Sequence, residues 1–284
     1  MNDLYRHIEA CNNTPSPAHL LPFRIGEQQV GWVAPALAQA LTFHPRDVHF
    51  DARGVALASR HRSPAARSAA LLALCAELAP RGFVQLRDEP FDVRQAAEGA
   101  TLATLDRGAL PAFGVIGQGV HLNGLVRRAD GLHVWVGVRA RDKAVAPGQL
   151  DNVVAGGIPA GLTPEQCLVK EAEEEAGMPA TMAIQARRSG RVSYTLTLPE
   201  GLRRDVLHIY DIDLPEDFCP RPNDDEVERF ELWPARRLLE AVRETDSVKF
   251  NVNLVLIDLF LREGLIDPAS SEGQRLRAGL NAGP

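Results

Sequence analysis

Val153-Val154-Ala155-Gly156-Gly157-Ile158-Pro159-Ala160-Gly161-Leu162-Thr163-Pro164-Glu165-Gln166-Cys167-Leu168-Val169-Lys170-Glu171-Ala172-Glu173-Glu174-Glu175-Ala176-Gly177-Met178-Pro179 is the stretch whose reading decides the fold. Its local signals define one helix. Thr163 with Gln166 three residues on makes a capping box, and Pro164 stands at the first helical position, where a missing N–H costs nothing. Gly177 and Pro179 stop the helix. Leu168, Ala172 and Ala176 recur every four residues and supply a narrow buried stripe.

Glu171, Glu174 and Glu175 stand at i, i+3 and i+4, so their carboxylates share one helix face. They lie in the last turns, where the helix dipole presents negative partial charge. Each acidic group there costs ~0.3–1 kcal/mol before mutual repulsion is added. Lys170 alone does not neutralise them. A hard divalent cation does, since it prefers carboxylate and backbone-carbonyl oxygens. Gly156 or Gly157 lets a carbonyl approach the same ion without side-chain obstruction. The competing reading is a solvated acidic face, which leaves the paired glycines and the unfavourable helix end unexplained.

Outward from this segment, Val120–Asn123 and Leu132–Arg139 alternate with period two on either side of an Ala129-Asp130-Gly131 turn, and read as strands. Further strands are expected around Val192–Leu198 and Leu207–Leu214, and helices near Pro234–Arg243 and Asn251–Glu263. Upstream, Ser63 caps a helix begun by Pro64, and Phe83–Leu86 reads as a strand after Gly82. Residues 269–284, rich in Ser, Gly, Asn and Ala, read as a frayed tail. Strands and helices intermix, so the fold class is α/β (α+β). Gly114-x-x-Gly117-x-Gly119 has the look of a phosphate loop, but no Gly-Lys-Ser/Thr follows and the next segment is a strand.

The chain has 284 residues, enough for one large or two modest domains, with 45% hydrophobic and 24% charged residues. Its net charge of −6, without any block of cations, argues against a duplex nucleic-acid partner. Cys11, Cys75, Cys167 and Cys219 are scattered, which fits neither a zinc ribbon nor a disulfide framework and points to a reducing compartment. No apolar run is long enough to span a bilayer, and the first twenty residues lack a signal-peptide stretch. The expectation from these features is a cytoplasmic globular protein.

The central stretch resembles the Nudix box, Gly-x5-Glu-x7-Arg-Glu-apolar-x-Glu-Glu-x-Gly-apolar. Lys170 to Met178 fills its second half, with lysine in place of arginine. Gly156 stands at the opening glycine and Leu162 where the first glutamate is usual; alternatively Gly157 opens a loop one residue shorter. In the family that glutamate mainly supports the loop and the outer metal shell. Lysine keeps the charge of the arginine but loses its bidentate fork. Arg139…Lys143, Pro147-Gly148-x-Leu150-Asp151-Asn152-x-Val154-Ala155-Gly156-Gly157, Asp224-x-Glu226-Val227-Glu228-x-Phe230 and Phe250-x-x-Asn253 are similar to the two-domain Nudix proteins called thiamin pyrophosphokinase-related.

The resemblance implies a Nudix α/β/α sandwich with a mixed sheet over residues 113–268, a smaller N-terminal α/β accessory domain over 1–112, and a flexible tail over 269–284. It implies hydrolysis of thiamine diphosphate-like compounds, damaged forms included, to monophosphates, with Mg²⁺ or Mn²⁺. Metal-assisted attack of water on a diphosphate phosphorus is the expected chemistry. Glu171, Glu174, Glu175 and the Gly156 carbonyl form the metal set, with Lys170 bracing it. Glu226, in an acidic run that also holds Asp224, is the first choice for a further ligand or general base. Arg139 and Lys143 are candidates to clamp phosphates, and His121 and Asn123, on one strand face, to serve a structural or substrate-lining role rather than as metal ligands. Trp135 fits stacking or core packing equally. The N-terminal domain is expected to cover one side of the cleft and help select substrate. The partner expected is a small diphosphate, with no duplex nucleic acid and no membrane; a homodimer is left open. The competing functions are hydrolysis of a nucleoside diphosphate derivative such as ADP-ribose, isomerisation of an isoprenoid diphosphate, and a non-catalytic ligand-binding module with a degenerate box.

Overall fold

The computed structural model describes residues 3–14, 16–143, 145–223 and 225–284. Three runs of elements follow one another. The first holds α1 (Tyr5–Cys11), β1 (Leu21–Ile25), β2 (Gln28–Val33), α2 (Pro35–Leu41), β3 (Val48–Asp51), β4 (Gly54–Leu57), α3 (Pro64–Leu78), β5 (Pro90–Val93), β6 (Ala103–Asp106) and α4 (Leu110–Phe113). The second holds β7 (Ile116–Arg128), β8 (Gly131–Arg139), β9 (Leu150–Asn152), β10 (Val154–Gly157), α5 (Pro164–Ala176) and α6 (Ala180–Ala183). The third holds β11 (Arg187–Leu198), β12 (Gly201–Asp213), β13 (Val227–Pro234), α7 (Ala235–Glu244), α8 (Val252–Arg262) and α9 (Ser271–Gly279).

One mixed sheet organises the C-terminal part. Its order is β11-β12-β7-β8-β13, with β10 added to β7 and β9 to β8. β12 runs parallel to β7, and the other pairings are antiparallel. Alternation along each strand builds two cores. Val134, Val136, Leu207 and Ile209 pack with Leu238, Leu254 and Phe260 of α7 and α8. Val120, Leu122, Trp135 and Tyr210 pack with Leu168, Ala172 and Ala176 of α5. The result is the helix-sheet-helix sandwich expected from the sequence, and it assigns Trp135 to the core. A four-stranded sheet, β2-β1-β4-β3, and the β5-β6 hairpin form the N-terminal domain around Phe23, Leu71 and Phe113.

Three expectations are corrected. Phe83–Leu86 is not a strand: the α3 exit through Pro80 and Gly82 leaves it as an irregular segment. Residues 269–284 are not a loose tail. Ser270 caps α9, Leu276 and Leu280 are buried, and Gly279 lies against Tyr5 and Ile8. Nor does 1–112 form one accessory unit. Leu4, Ile8 and Cys11 of the α1 segment are buried in the C-terminal core beside α8 and α9, and the expected boundary at 112/113 falls inside α4.

Candidate active site

The helix signals read in the sequence all act. Thr163 Oγ1 accepts from Gln166 N–H (3.2 Å), and Gln166 Oε1 accepts from Thr163 N–H (2.9 Å). Gly177 takes φ +58°, and Met178 N–H reaches back to the Ala172 carbonyl (2.9 Å), closing α5. Two end carbonyls are also met by the following loop: Arg221 N–H donates to Ala176 (3.0 Å) and Asn223 Nδ2 to Glu173 (3.1 Å).

The three glutamates do not share one environment. Glu175 is 6% exposed, and its Oε2 accepts from Ala155 N–H (2.9 Å). Burial pushes its carboxyl up to about 8, with Asp151, Glu171 and Glu226 adding repulsion. Glu171 is half-buried, and burial raises it too, against the pull of Lys170. Glu174 is exposed and pairs with Lys170, whose Nζ also donates to Glu171 Oε1 (3.2 Å). Lys170 therefore sits between two of the carboxylates, as a brace would.

The geometry separates the two glycines. A Cβ on Gly156 would stand 2.5–2.7 Å from Glu171 Cγ, Cδ and Oε2, so the bare α-carbon is what lets the carboxylate lie against β10. A Cβ on Gly157 would instead meet the Phe91 ring at 2.7 Å. Gly156 thus faces α5 and Gly157 faces the N-terminal domain.

On the far side of β10 opens a cavity of about 770 Å³. Gly156, His121, Arg139, Lys143, Glu226 and Lys249 line it, together with Phe83, Arg87, Glu89 and Arg107 of the N-terminal domain. The α5 glutamates adjoin this space behind Gly156 and do not line it. Strand alternation accounts for the floor, because Gly117, Gly119 and His121 of β7 share its face. Of the glycines that mimic a phosphate loop, Gly114 ends α4, and Gly117 and Gly119 belong to the strand that floors the cleft.

Arg139 and Lys143 both stand on the cavity. Arg139 Nη1 pairs with Asp151 Oδ2 (2.9 Å) and Lys143 Nζ with Glu226 Oε1 (3.4 Å). A third cation, Lys249, was missed from the sequence. Its Nζ meets the same Asp151 Oδ2 (2.8 Å). Asp151 is 4% exposed; burial works to raise its pKa, but Lys249, His121 and Arg139 outweigh that and hold it below its ordinary value. One buried carboxylate thereby orients two cations on the cleft wall.

Asn123 is corrected as a substrate-lining residue. It is fully buried, and both ends of its amide are used: Nδ2 donates to Asp211 Oδ1 (2.8 Å) and Oδ1 accepts from Asn152 Nδ2 (2.8 Å). This chain fixes a tautomer. Asp211, paired with Arg262, accepts, so Asn123 presents its amide nitrogen there, Asn152 turns its oxygen to His121, and His121 Nδ1 (2.9 Å away) carries the hydrogen. Burial holds the His121 pKa down to about 4. His121 is therefore neutral, with Nε2 an acceptor, on the cavity floor. Asp224 lies outside the described residues.

Among the described residues, no three acidic, imidazole or thiol side chains already stand at metal-ligand spacing. The donor set nevertheless suits a hard cation: all-oxygen, with buried Glu175 and half-buried Glu171 beside a glycine backbone, and further carboxylates adding repulsion that Lys170 offsets only at Glu171 and Glu174.

Comparison with known proteins agrees with this architecture. Residues 119–252 match the family model of the NUDIX domain, and residues 3–117 a domain of unknown function, DUF4743. Nudix hydrolase 20, chloroplastic, of Arabidopsis thaliana is 35% identical over 282 residues, covering 95% of this chain and 75% of that protein. The chain belongs to the Nudix hydrolases. Nudix hydrolase 24, chloroplastic, of the same plant is also 35% identical, over 93% of this chain and 73% of its own length. Of solved structures, Deinococcus radiodurans DR0079 has TM-score 0.46 at 20% identity, over 59% of this chain and 97% of its own. The Nudix assignment makes the chain a pyrophosphohydrolase of small diphosphates, in a family that generally uses divalent metal ions. The expectation of a cytoplasmic protein is overturned, since both plant relatives are named chloroplastic; scattered thiols do not distinguish one reducing compartment from another. No helix among the described residues is long and apolar enough to cross a membrane.

Proposed function

We propose that this Nudix hydrolase cleaves the diphosphate of thiamine diphosphate, or of a damaged analogue, to the monophosphate with Mg²⁺ or Mn²⁺. The observation that carries the hydrolytic reading is the meeting of Glu171 with the bare α-carbon of Gly156, and of Glu175 with Ala155 N–H, at the edge of a cation-walled cleft. The residues that would hold the ion are Glu171, Glu175, the Gly156 carbonyl and, after a rotamer change away from Lys170, Glu174. Bound there, the ion would supply the positive charge that stabilises developing phosphate charge and would acidify the attacking water.

The chain's own residues do the rest. Arg139 and Lys249, held by Asp151, present N–H donors to the phosphate that is not attacked. Lys143 reaches the same cleft from its pairing with Glu226. Glu226 is the candidate general base, and an incoming phosphate would compete with it for Lys143. Neutral His121 accepts from a substrate hydroxyl or amine through Nε2. The choice of thiamine compounds over other diphosphates rests on the resemblance of the Pro147–Gly157, Asp224–Phe230 and Phe250–Asn253 runs.

A panel of thiamine diphosphate, oxidised thiamine diphosphates, ADP-ribose and isopentenyl diphosphate, assayed for phosphate or nucleotide release with Mn²⁺, tests both parts. Turnover highest on the thiamine compounds is expected. Preference for ADP-ribose would remove the substrate class and leave the reaction; binding without turnover of any compound would replace the hydrolase by a ligand-binding module.

A further inference from the structure

The Nudix box of this chain lacks the glutamate that usually steadies its loop, and the structure holds that loop by other means. Leu162, at the vacant position, is half-buried and packs against the α5 core, so it offers the loop no polar support. The support comes from a different domain. Ala160 N–H donates to the Pro90 carbonyl (2.8 Å) at the start of β5. The Phe91 ring fills the space where a Gly157 side chain would stand. The Arg107 guanidinium lies over the Phe91 ring (5.7 Å to its centroid), 3.7 Å from that same Gly157 position, and pairs with Glu89 Oε2 (2.8 Å). On the other side, Ile158 N–H donates to the Gln118 carbonyl (2.9 Å) of β7. Gly157 is thus clamped between the N-terminal domain and the sheet, one residue from the Gly156 that Glu171 touches.

We propose that the N-terminal domain positions the catalytic loop: Pro90, Phe91 and Arg107 brace residues 157–162 in place of the acidic residue that position 162 lacks. The domain of unknown function is then a working part of the hydrolase site. Its effect passes through Gly157 to Gly156, and so to the backbone and carboxylate oxygens that would hold the ion. Arg107 and Phe91 are positioning residues and need not touch substrate. The inference rests on the metal site of the proposed function, and it fixes where changes in the N-terminal domain are read: in metal affinity and turnover.

Arg107→Ala tests this in the full chain. The Arg107–Glu89 pair is partly exposed on both sides (53% and 31%), so its loss alone costs little stability. The expected result is Mn²⁺ binding about tenfold weaker, measured by electron paramagnetic resonance titration, and kcat about tenfold lower, with KM little changed and the melting temperature near wild type. Gly157→Ala, which would push the Phe91 ring from its seat, should show the same two losses. Wild-type Mn²⁺ affinity and kcat in Arg107→Ala, in a preparation where Glu171→Gln has lost both, would overturn the inference and leave the hydrolase reading intact. Should the wild-type chain bind Mn²⁺ but cleave no diphosphate, the hydrolase reading fails alone, and the Mn²⁺ titration still decides the inference. A wild-type chain that binds no Mn²⁺ overturns both.

Discussion

Glu175 is a carboxylate that its surroundings keep protonated far above the ordinary range, and this has consequences that a titration reads directly. With its pKa at about 8 against an ordinary 4.5, the metal-free folded chain holds a proton between those values that the unfolded chain releases. The unfolded state binds fewer protons there, so stability falls as pH rises through that window. Metal-free protein should therefore melt lower at pH 8.5 than at pH 6, and Glu175→Gln should flatten that slope. Metal binding displaces the proton, so Mn²⁺ affinity should rise with pH over the same range. Glu171→Gln or Glu175→Gln should lower turnover by orders of magnitude with the fold intact by circular dichroism; near-normal turnover in either removes the assigned role. Lys249 belongs to a different step. Lys249→Ala should raise KM about tenfold and change kcat little, as expected for lost phosphate binding. Wild-type kinetics would release Lys249 from the clamp.

At the scale of elements, α5 and β10 form one device. A helix whose Leu168, Ala172 and Ala176 are buried must turn Glu171 and Glu175 toward the strand beside it, and the glycine at 156 is what admits them. Gly156→Ala would place a methyl within 2.7 Å of the Glu171 carboxyl, and the carboxylate would have to move aside. A displacement near 1 Å at such a position costs roughly 10²-fold in rate, which a steady-state assay reads; unimpaired turnover would show that Glu171 does not act from this contact. Much of this device was legible in the sequence because it is local: cap, stop signals, buried stripe and acidic face all fall within α5 and its flanks. The Asp151–Lys249 pair was not, because 98 residues separate its partners and no periodicity links them. Asn123 misled for a related reason. Sharing a strand face with His121 is readable from period two, but the Asp211 and Asn152 that consume its amide come from other strands.

At the scale of the whole molecule, the chain's two ends are joined. Leu4, which precedes the first helix, and Ile8 and Cys11 within it pack in one core with Leu276 and Leu280, and Ser193 N–H of β11 donates to the Leu280 carbonyl (3.0 Å). Composition made residues 269–284 look unstructured, because a short amphipathic helix that needs only two leucines to dock carries little signal. Removing everything after residue 269 should cost roughly 3–6 kcal/mol for those two leucines alone, seen as a large drop in the urea midpoint; an unchanged midpoint would mean α9 contributes no packing. The cleft has the same composite origin, with one wall from the mixed sheet and the other from the Phe83–Phe91 segment and Arg107. We assign the metal site of this cleft to the end of α5 and the start of the box loop. Anomalous diffraction from a Mn²⁺-soaked crystal containing a non-hydrolysable diphosphate analogue tests it most directly. A manganese peak within bonding distance of Glu171, Glu175 and the Gly156 carbonyl is expected; ordered analogue in the cleft with no manganese at those oxygens would remove the metal site.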